Sequence, residues 1–517
     1  LPCAVDPGTY FPDLDVVPLA NVPLPAPAAF ADAWLPRYRG IAAVHPRSER
    51  GAAPGDVVMP GNWHTALAGA RQYVDWLQAL KTRIPPDTVW YAPAAALPST
   101  AAFLLYSGFD LFDYTAVDLM SAKDLFCTPE GEFPAGEWLS GGCSCAGCAA
   151  GDLVMHNRLA LEQEIAGATR FLKAGQLREF VEVRIRAHAP LVAALRLLDE
   201  AYGFVEPHVP VVRTALLRAY TAESLRRPEV KRFAERVTGR YVPYRTDTAV
   251  ILPCSAKKPY SLSRSHHLFR SAIRDRAHEL IMTSPLGLVP RELERIYPAA
   301  HYDIPVTGYW DREEREFIAA TLAAYLAKHP YRRVIAHVEG GSLAIVRDAA
   351  ERCGIELECT CRGHPTDGAS LAALDAALDG ERRMAPDFIR GPLSWQFGVA
   401  VNTKGMLLKG KWMNQKVIRG KEQLFSVDPA TGLLRPTFAG WDELPGVYRV
   451  AIDDFVPQGD VLAPGITGAD PQIREGDEVL VEGPRARATG RAVMGAGEML
   501  ASSYGVAIRI RKVQKLE

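Results

Sequence analysis

A chain of 517 residues is too long for one hydrophobic core and calls for several domains. Its hydrophobic (48%) and charged (23%) fractions are those of an ordinary globular protein, and a net charge of −1 excludes a global basic field, so any polyanion must be met by local patches. No apolar run reaches membrane-spanning length and the first residues lack the basic and apolar regions of a signal peptide, so a cytoplasmic protein with no membrane partner is expected.

Residues 1–140 alternate short apolar runs with Pro/Gly turns. Residues 88–93 read as a buried strand, 99–106 as a helix and 108–113 as the next strand, a βα rhythm that suits a barrel or a doubly wound sheet. Between 155 and 240 apolar residues recur at helical spacing, and residues 171–245 hold 14 Lys/Arg against 8 Asp/Glu. The α/β rhythm returns at 246–365, with strands predicted at 248–252, 279–283 and 333–337 and helices at 264–278, 311–328 and 341–352. A helix over 370–378 and then a loop complete the stretch to 395. Residues 396–445 read as short strands carrying Lys404, Lys409, Lys411, Lys416, Arg419 and Lys421, and residues 446–517 read as a small β-domain.

The nine cysteines are clustered, which in a cytoplasmic chain favours metal binding or catalysis over disulfides. Cys143, Cys145 and Cys148 with His156 offer the three thiolates and one imidazole of a closed structural zinc site; His188 is the alternative fourth ligand. Gly141, Gly142 and Gly147 permit the tight turns that converge three sulfurs. A second group, Cys353, Cys359 and Cys361 with His364, is too irregularly spaced to favour a metal.

The segment from Pro253 to His266 concentrates a thiol, amines, hydroxyls and an imidazole at the mouth of a strand, where open α/β folds place ligands. Here Cys254 is the candidate nucleophile. Lys258, beside Lys257, is expected to lower its pKa, His266 to exchange protons with it, and Tyr260 and Ser263 to add hydroxyl donors. Loops containing Ser284 and Gly287, then Tyr302, then Glu339 and Gly340 are candidates for holding a planar ligand or an anion.

Taken together these motifs resemble the archaeosine synthases, paralogues of the archaeal tRNA-guanine transglycosylases. Pro253, Cys254, Lys258, Pro259, Tyr260, Ser263 and His266 match the pattern Pro-Cys-x3-Lys-Pro-Tyr-x2-Ser-x2-His in full. The Cys cluster followed by His156-Asn157 resembles the transglycosylase zinc site, with a shorter Cys-to-His spacing. Asp113 falls where transglycosylases carry their nucleophile, but no matching general-base motif occurs in residues 1–90. The end of the chain resembles a PUA domain.

The resemblance implies an α/β multidomain chain. Residues 1–240 would form a partial or degenerate TIM-barrel, transglycosylase-like domain with the zinc site, and 241–365 an α/β catalytic domain. Residues 366–445 would form a small α+β RNA-contacting domain and 446–517 a PUA β-barrel. It implies an amidine-forming transferase acting on the D-arm of tRNA, at 7-cyano-7-deazaguanine in position 15. Lysine is the implied amine donor, glutamine the less favoured one. A radical-SAM enzyme is the implied partner, and a homodimer is an option. RNA contact is expected from Lys404, Lys409, Lys411, Lys416, Arg491, Arg509 and Arg511. Base exchange through Asp113 and non-catalytic tRNA binding are the competing readings.

Overall fold

Two units carry the chain, each with its own sheets and core. In the computed structural model, which describes residues 42–49, 51–61, 69–141, 143–305, 309–411 and 414–516, the first unit runs up to Glu206 and includes 462–464 and 497–506; the second holds 207–461, 465–496 and 507–517. No helix among the described residues is long and apolar enough to cross a membrane.

The first unit has a four-stranded sheet, Ala42–Val44, Val57–Pro60, Val89–Ala92 and Leu111–Phe112, paired in parallel throughout. Helices Ala70–Lys81 and Pro98–Tyr106 pack Tyr73, Trp76 and Phe103 with Trp90 and Phe109 into its core. This is the expected βα rhythm. Among the described residues, however, the parallel sheet stops at four strands, and the closure of a TIM barrel is not among them. The predicted helical stretch is present as Leu153–Lys173, Leu177–Arg184 and Ala189–Glu200. Much of its arginine surplus is structural. Arg178 is buried between Glu182 (2.9 Å) and Asp199 (2.6 Å), and Arg184 pairs with Glu164 (2.7 Å).

The second unit is built on a five-stranded sheet in the order Gly287–Pro290, His278–Thr283, Thr248–Pro253, Arg333–Ala336, Leu357–Cys359. Only the first pair is antiparallel. The three central strands are buried almost throughout, which is why they read as unbroken apolar runs and not as alternating patterns. Strands Thr248–Pro253 and Arg333–Ala336 are neighbours, yet the chain leaves them toward opposite edges of the sheet. That divergence opens a crevice at their C-terminal ends, and Cys254 is the first residue into it.

Two predicted boundaries shift. The helix expected over 264–278 is Arg264–Ile273, because Arg274 (φ 51°) and Asp275 (φ 57°) turn left-handed and feed the next strand. The expected loop before 396 contains a helix, Arg390–Phe397; Gly391 and Pro392 look like breakers but occupy its first turn, where Pro is tolerated. Beyond it lie a four-stranded antiparallel sheet between Met406 and Pro436 and a six-stranded sheet spanning Arg449–Lys515.

Buried Gly287 follows the turn at residues 284–286 and joins the antiparallel edge pair at φ 75°, and a Cβ there would stand 2.8 Å from the Thr321 side chain. Gly287→Ala is expected to cost about 1–3 kcal/mol, read as a lower urea midpoint with an unchanged slope.

Candidate active site and metal centre

From the end of its strand, Cys254 enters a loop whose short-range bonds are already made. Ser255 Oγ donates to the Lys257 carbonyl (2.9 Å), residues Tyr260–Leu262 form a 3-10 turn, and Ser263 caps the helix Arg264–Ile273 by accepting from the His266 N–H (3.2 Å). Ser263 also bonds Ser265 Oγ (3.1 Å). The hydroxyl expected to act in chemistry is thus a helix cap.

His266 differs more sharply from expectation. Its ring is fully buried, Nε2–H donates to the Pro253 carbonyl (3.1 Å) and Nδ1 accepts from Arg291 Nη2 (2.8 Å). A carbonyl only accepts and a guanidinium only donates, so one neutral tautomer is fixed. Burial, with the Arg291 charge, lowers its pKa to about 3. With both nitrogens engaged, the imidazole does not serve as the proton-exchange partner of Cys254; it anchors the Pro253 carbonyl and so the direction in which Cys254 leaves the sheet. Arg291 in turn bonds Glu279 (Nε–Oε2 2.9 Å) and Glu294 (2.8 Å), and Glu294 accepts the Ser261 N–H (2.8 Å).

Around the thiol stand Lys258, Thr283, Tyr302 and Tyr260. Thr283 stands beside the thiol through strand register, Tyr302 OH lies 2.6 Å from Thr283 Oγ1, and Tyr260 OH lies 2.7 Å from Tyr302 OH. Lys258 Nζ sits 3.9 Å above the Tyr302 ring. Burial pushes the Cys254 thiol up, while Thr283 and Lys258 pull it down without prevailing. Burial likewise holds Lys258 below the usual lysine value, opposed by Cys254 and Asp303. The expected lysine-stabilised thiolate is therefore not the resting form. Burial thus disfavours the charged form of both groups.

The candidate ligand residues divide. Glu339 and Gly340 line a cleft of about 460 Å³ with Cys254, Ser255, Ser265 and His364. Ser284 lines a different cavity and donates to Glu314 (2.6 Å), Tyr302 is buried in the hydroxyl chain, and Gly287 is a packing position. Among the basic candidates, Lys404, Lys409, Lys411, Lys416, Arg509 and Arg511 are exposed. Lys409 stands directly opposite Lys416 across an antiparallel pair, a like-charge juxtaposition that costs stability unless an anion lies nearby. Arg511 meets Glu478 (2.5 Å) from the surface, whereas Arg491 is half-buried between Asp428 (2.7 Å) and Glu478 (3.4 Å), which removes it from the free cations.

In the first unit the ligand atoms of Cys143, Cys145, Cys148 and His156 all lie within 4.8 Å of one another. His156 Nδ1 is 3.3 Å from both Cys145 Sγ and Cys148 Sγ, while Nε2–H donates to the Cys127 carbonyl (3.1 Å). That outer bond selects the tautomer that presents Nδ1 to an ion. Although burial opposes it, the Cys148 N–H and His156 draw the Cys145 thiol down to about 6. Asn157 accepts the Cys127 N–H (2.8 Å) and donates to the Leu125 carbonyl (2.9 Å), fixing the hairpin that carries this carbonyl. At Gly147 a Cβ would stand 2.4 Å from the His156 backbone N, so only glycine permits the approach. The donor set and its geometry fit a metal ion, and His156, not His188, completes it.

Comparison with known proteins finds two matched segments. A domain of unknown function (DUF5591) matches residues 230–378, and a PUA domain matches 448–514. The archaeosine synthase subunit alpha of Methanosarcina acetivorans is 38% identical over 91% of this chain and 81% of its own length, and the archaeosine synthase of Haloferax volcanii 37% over 86% and 80%. This chain belongs to the archaeosine synthase family. The tRNA-guanine(15) transglycosylase of Methanothermobacter thermautotrophicus is more distant, 26% identical over 86% of this chain and 68% of its own. A solved structure of a protein of unknown function aligns with 55% of this chain and 99% of its own at 31% identity and a TM-score of 0.47.

Within this archaeosine synthase relative, sequence reasoning missed Thr283 and Arg291. Both act through strand register: Pro253 pairs with Met282, which sets Thr283 beside Cys254. Cys148→Ser is expected to abolish stoichiometric metal binding, read by atomic emission on the intact chain, and to lower the thermal midpoint of the first unit.

Proposed function

We propose that this chain is a tRNA-modifying transferase of archaeosine biosynthesis that converts the nitrile of 7-cyano-7-deazaguanine at position 15 to an amidine. The observation that carries this reading is the placement of Cys254 in the crevice, close enough to Lys258 for each charge to act on the other, within a chain of the archaeosine synthase family.

A nitrile carbon is a weak electrophile to which thiolates add. Proton transfer from Cys254 to Lys258 gives the nucleophile. Sulfur bonds to the nitrile carbon as the Lys258 ammonium protonates the nitrogen, giving a thioimidate. The donor amine, lysine in this reading, then adds to the same carbon. Collapse expels the Cys254 thiolate, and the surplus amine proton returns to Lys258. Glutamine would first have to release its nitrogen, for which the cleft offers no second thiol among its lining residues. A radical-SAM partner would act on the lysine adduct after release.

A D-arm base must be exposed before it can react, so the RNA is gripped by shape and phosphates. The exposed Lys404, Lys409, Lys411 and Lys416, with Arg509 and Arg511 of the PUA domain, supply that grip. The Cys3His centre binds structural zinc, with four protein ligands and no open position for substrate. Base exchange through Asp113 is disfavoured, because its carboxylate accepts from Tyr91 OH (2.7 Å), the Ala94 N–H (3.0 Å) and the Thr115 N–H (2.8 Å).

Cys254→Ala is expected to reduce amidine formation at least about 10³-fold, measured by nucleoside mass spectrometry after incubation of nitrile-bearing tRNA with lysine. Undiminished turnover would overturn the covalent route. Lys409→Glu with Lys416→Glu is expected to weaken tRNA binding and to flatten the dependence of log K on log[salt] by about 2, one unit for each phosphate that is no longer neutralised.

A further inference from the structure

With His266 committed to the Pro253 carbonyl and Arg291, the thiol needs another source of stabilisation once it loses its proton. Strand register supplies one. Pro253 lies opposite Met282, so Cys254 and Thr283 leave neighbouring parallel strands at the same level. Thr283 is buried on the strand beside Cys254, and its hydroxyl donates to the Ser284 carbonyl (3.0 Å). Behind it stand two buried phenols in series, Tyr302 and then Tyr260.

Each of these hydroxyls has one hydrogen to give. If Tyr260 donates to Tyr302 and Tyr302 to Thr283, the Thr283 hydrogen is free to turn from the Ser284 carbonyl to sulfur. All three hydrogens then point toward Cys254, and each bond strengthens the next. Burial raises both phenols far above the usual tyrosine value, so they remain protonated donors. The Lys258 ammonium over the Tyr302 ring draws electron density from that phenol and sharpens its O–H as a donor.

We propose that Thr283, backed by Tyr302 and Tyr260, is a positioning residue that stabilises the Cys254 thiolate by a one-way chain of hydroxyl donors. The sequence motif contains only the far end of this chain, Tyr260; Thr283 and Tyr302 come from other strands. The proposal deepens the reading of Cys254 as nucleophile and rests on it for its purpose, but not for its test. The other ionisable groups near the thiol are Lys258 on its own loop, Asp303 beside Lys258, Glu294 beside Tyr260, and Glu339 and His364 across the cleft.

The test is the pH dependence of Cys254 alkylation by iodoacetamide in the full chain, followed on the Cys254 peptide by mass spectrometry. Thr283→Val is expected to raise the midpoint by about one to two units, so that alkylation at neutral pH slows at least about tenfold while the high-pH plateau is kept. Thr283→Ser restores the hydroxyl and is expected to return the midpoint to that of the unaltered chain. Tyr302→Phe is expected to raise it by about half a unit. A merely structural role would change the plateau through access and leave the midpoint in place. An unmoved midpoint in Thr283→Val overturns the proposal, as does a Thr283→Ser shift as large as that of Thr283→Val. Should Thr283→Val fail to fold, an unmoved midpoint in Tyr302→Phe overturns it equally. Turnover does not enter this measurement, so a Cys254→Ala variant that remained active would remove the nucleophile reading and leave the donor chain standing.

Discussion

The buried guanidinium of Arg291 is the constraint on which the reactive loop depends. It joins Glu279 on one sheet strand, Glu294 just downstream, and His266 on the helix after the loop; through Glu294 it also reaches the backbone of Ser261. Three segments, the reactive loop with its helix, the strand His278–Thr283 and the turn at residues 291–294, are thereby held at one point. A charge taken this far out of water is tolerable only when every partner is in place, and losing one partner of such a network costs about 3–5 kcal/mol. The arrangement therefore has one geometry or none. That is what a loop needs if it must present a thiol from a fixed direction.

The same arrangement explains why the motif mixes two kinds of residue. Ser263 and His266 spend their polar atoms on the cap and on the Pro253 carbonyl, while Tyr260 faces inward to Tyr302. Cys254, with Ser255 and Ser265, lines the crevice, and Lys258 reaches over the Tyr302 ring. A run of chemistry-bearing side chains is thus partly a scaffold: in the proposed reaction the positions nearest the strand end act, and those further along fix their aim.

How much of this was legible in the sequence depends on range. The central strands are buried on both faces, so their apolar runs stand out, and the contiguous Pro253–His266 pattern announces a site by composition alone. The Cys3His centre was equally legible, since its ligands fall within fourteen residues and its fit depends on local turns such as Gly147. What was not legible comes from lateral pairing. Thr283 gains its position only through register with Pro253, and Tyr302 comes from a two-residue strand paired with Leu217. Roles were misjudged for a related reason. An imidazole near a thiol suggests proton exchange, but burial and a guanidinium set the actual state of His266, and neither can be read from spacing. Arg491 was counted as a free cation for the same reason, with Asp428 and Glu478 out of view.

The opposed shifts of Cys254 and Lys258 bear on when the site becomes reactive. Burial disfavours the charged form of Cys254 and of Lys258 alike, and the thiol is held protonated at rest. Such a pair is protected from stray electrophiles and oxidants, which attack thiolates. Proton transfer from sulfur to nitrogen creates two opposite charges at close range, and its cost falls when donors are already aimed at the sulfur. In the proposed reaction, a substrate that fills the crevice excludes water, strengthens those donors and leaves the nitrile as the one electrophile in reach. Reactivity is then conditional on occupancy, which is the behaviour the proposed addition to a weak electrophile on one base of a folded RNA would require.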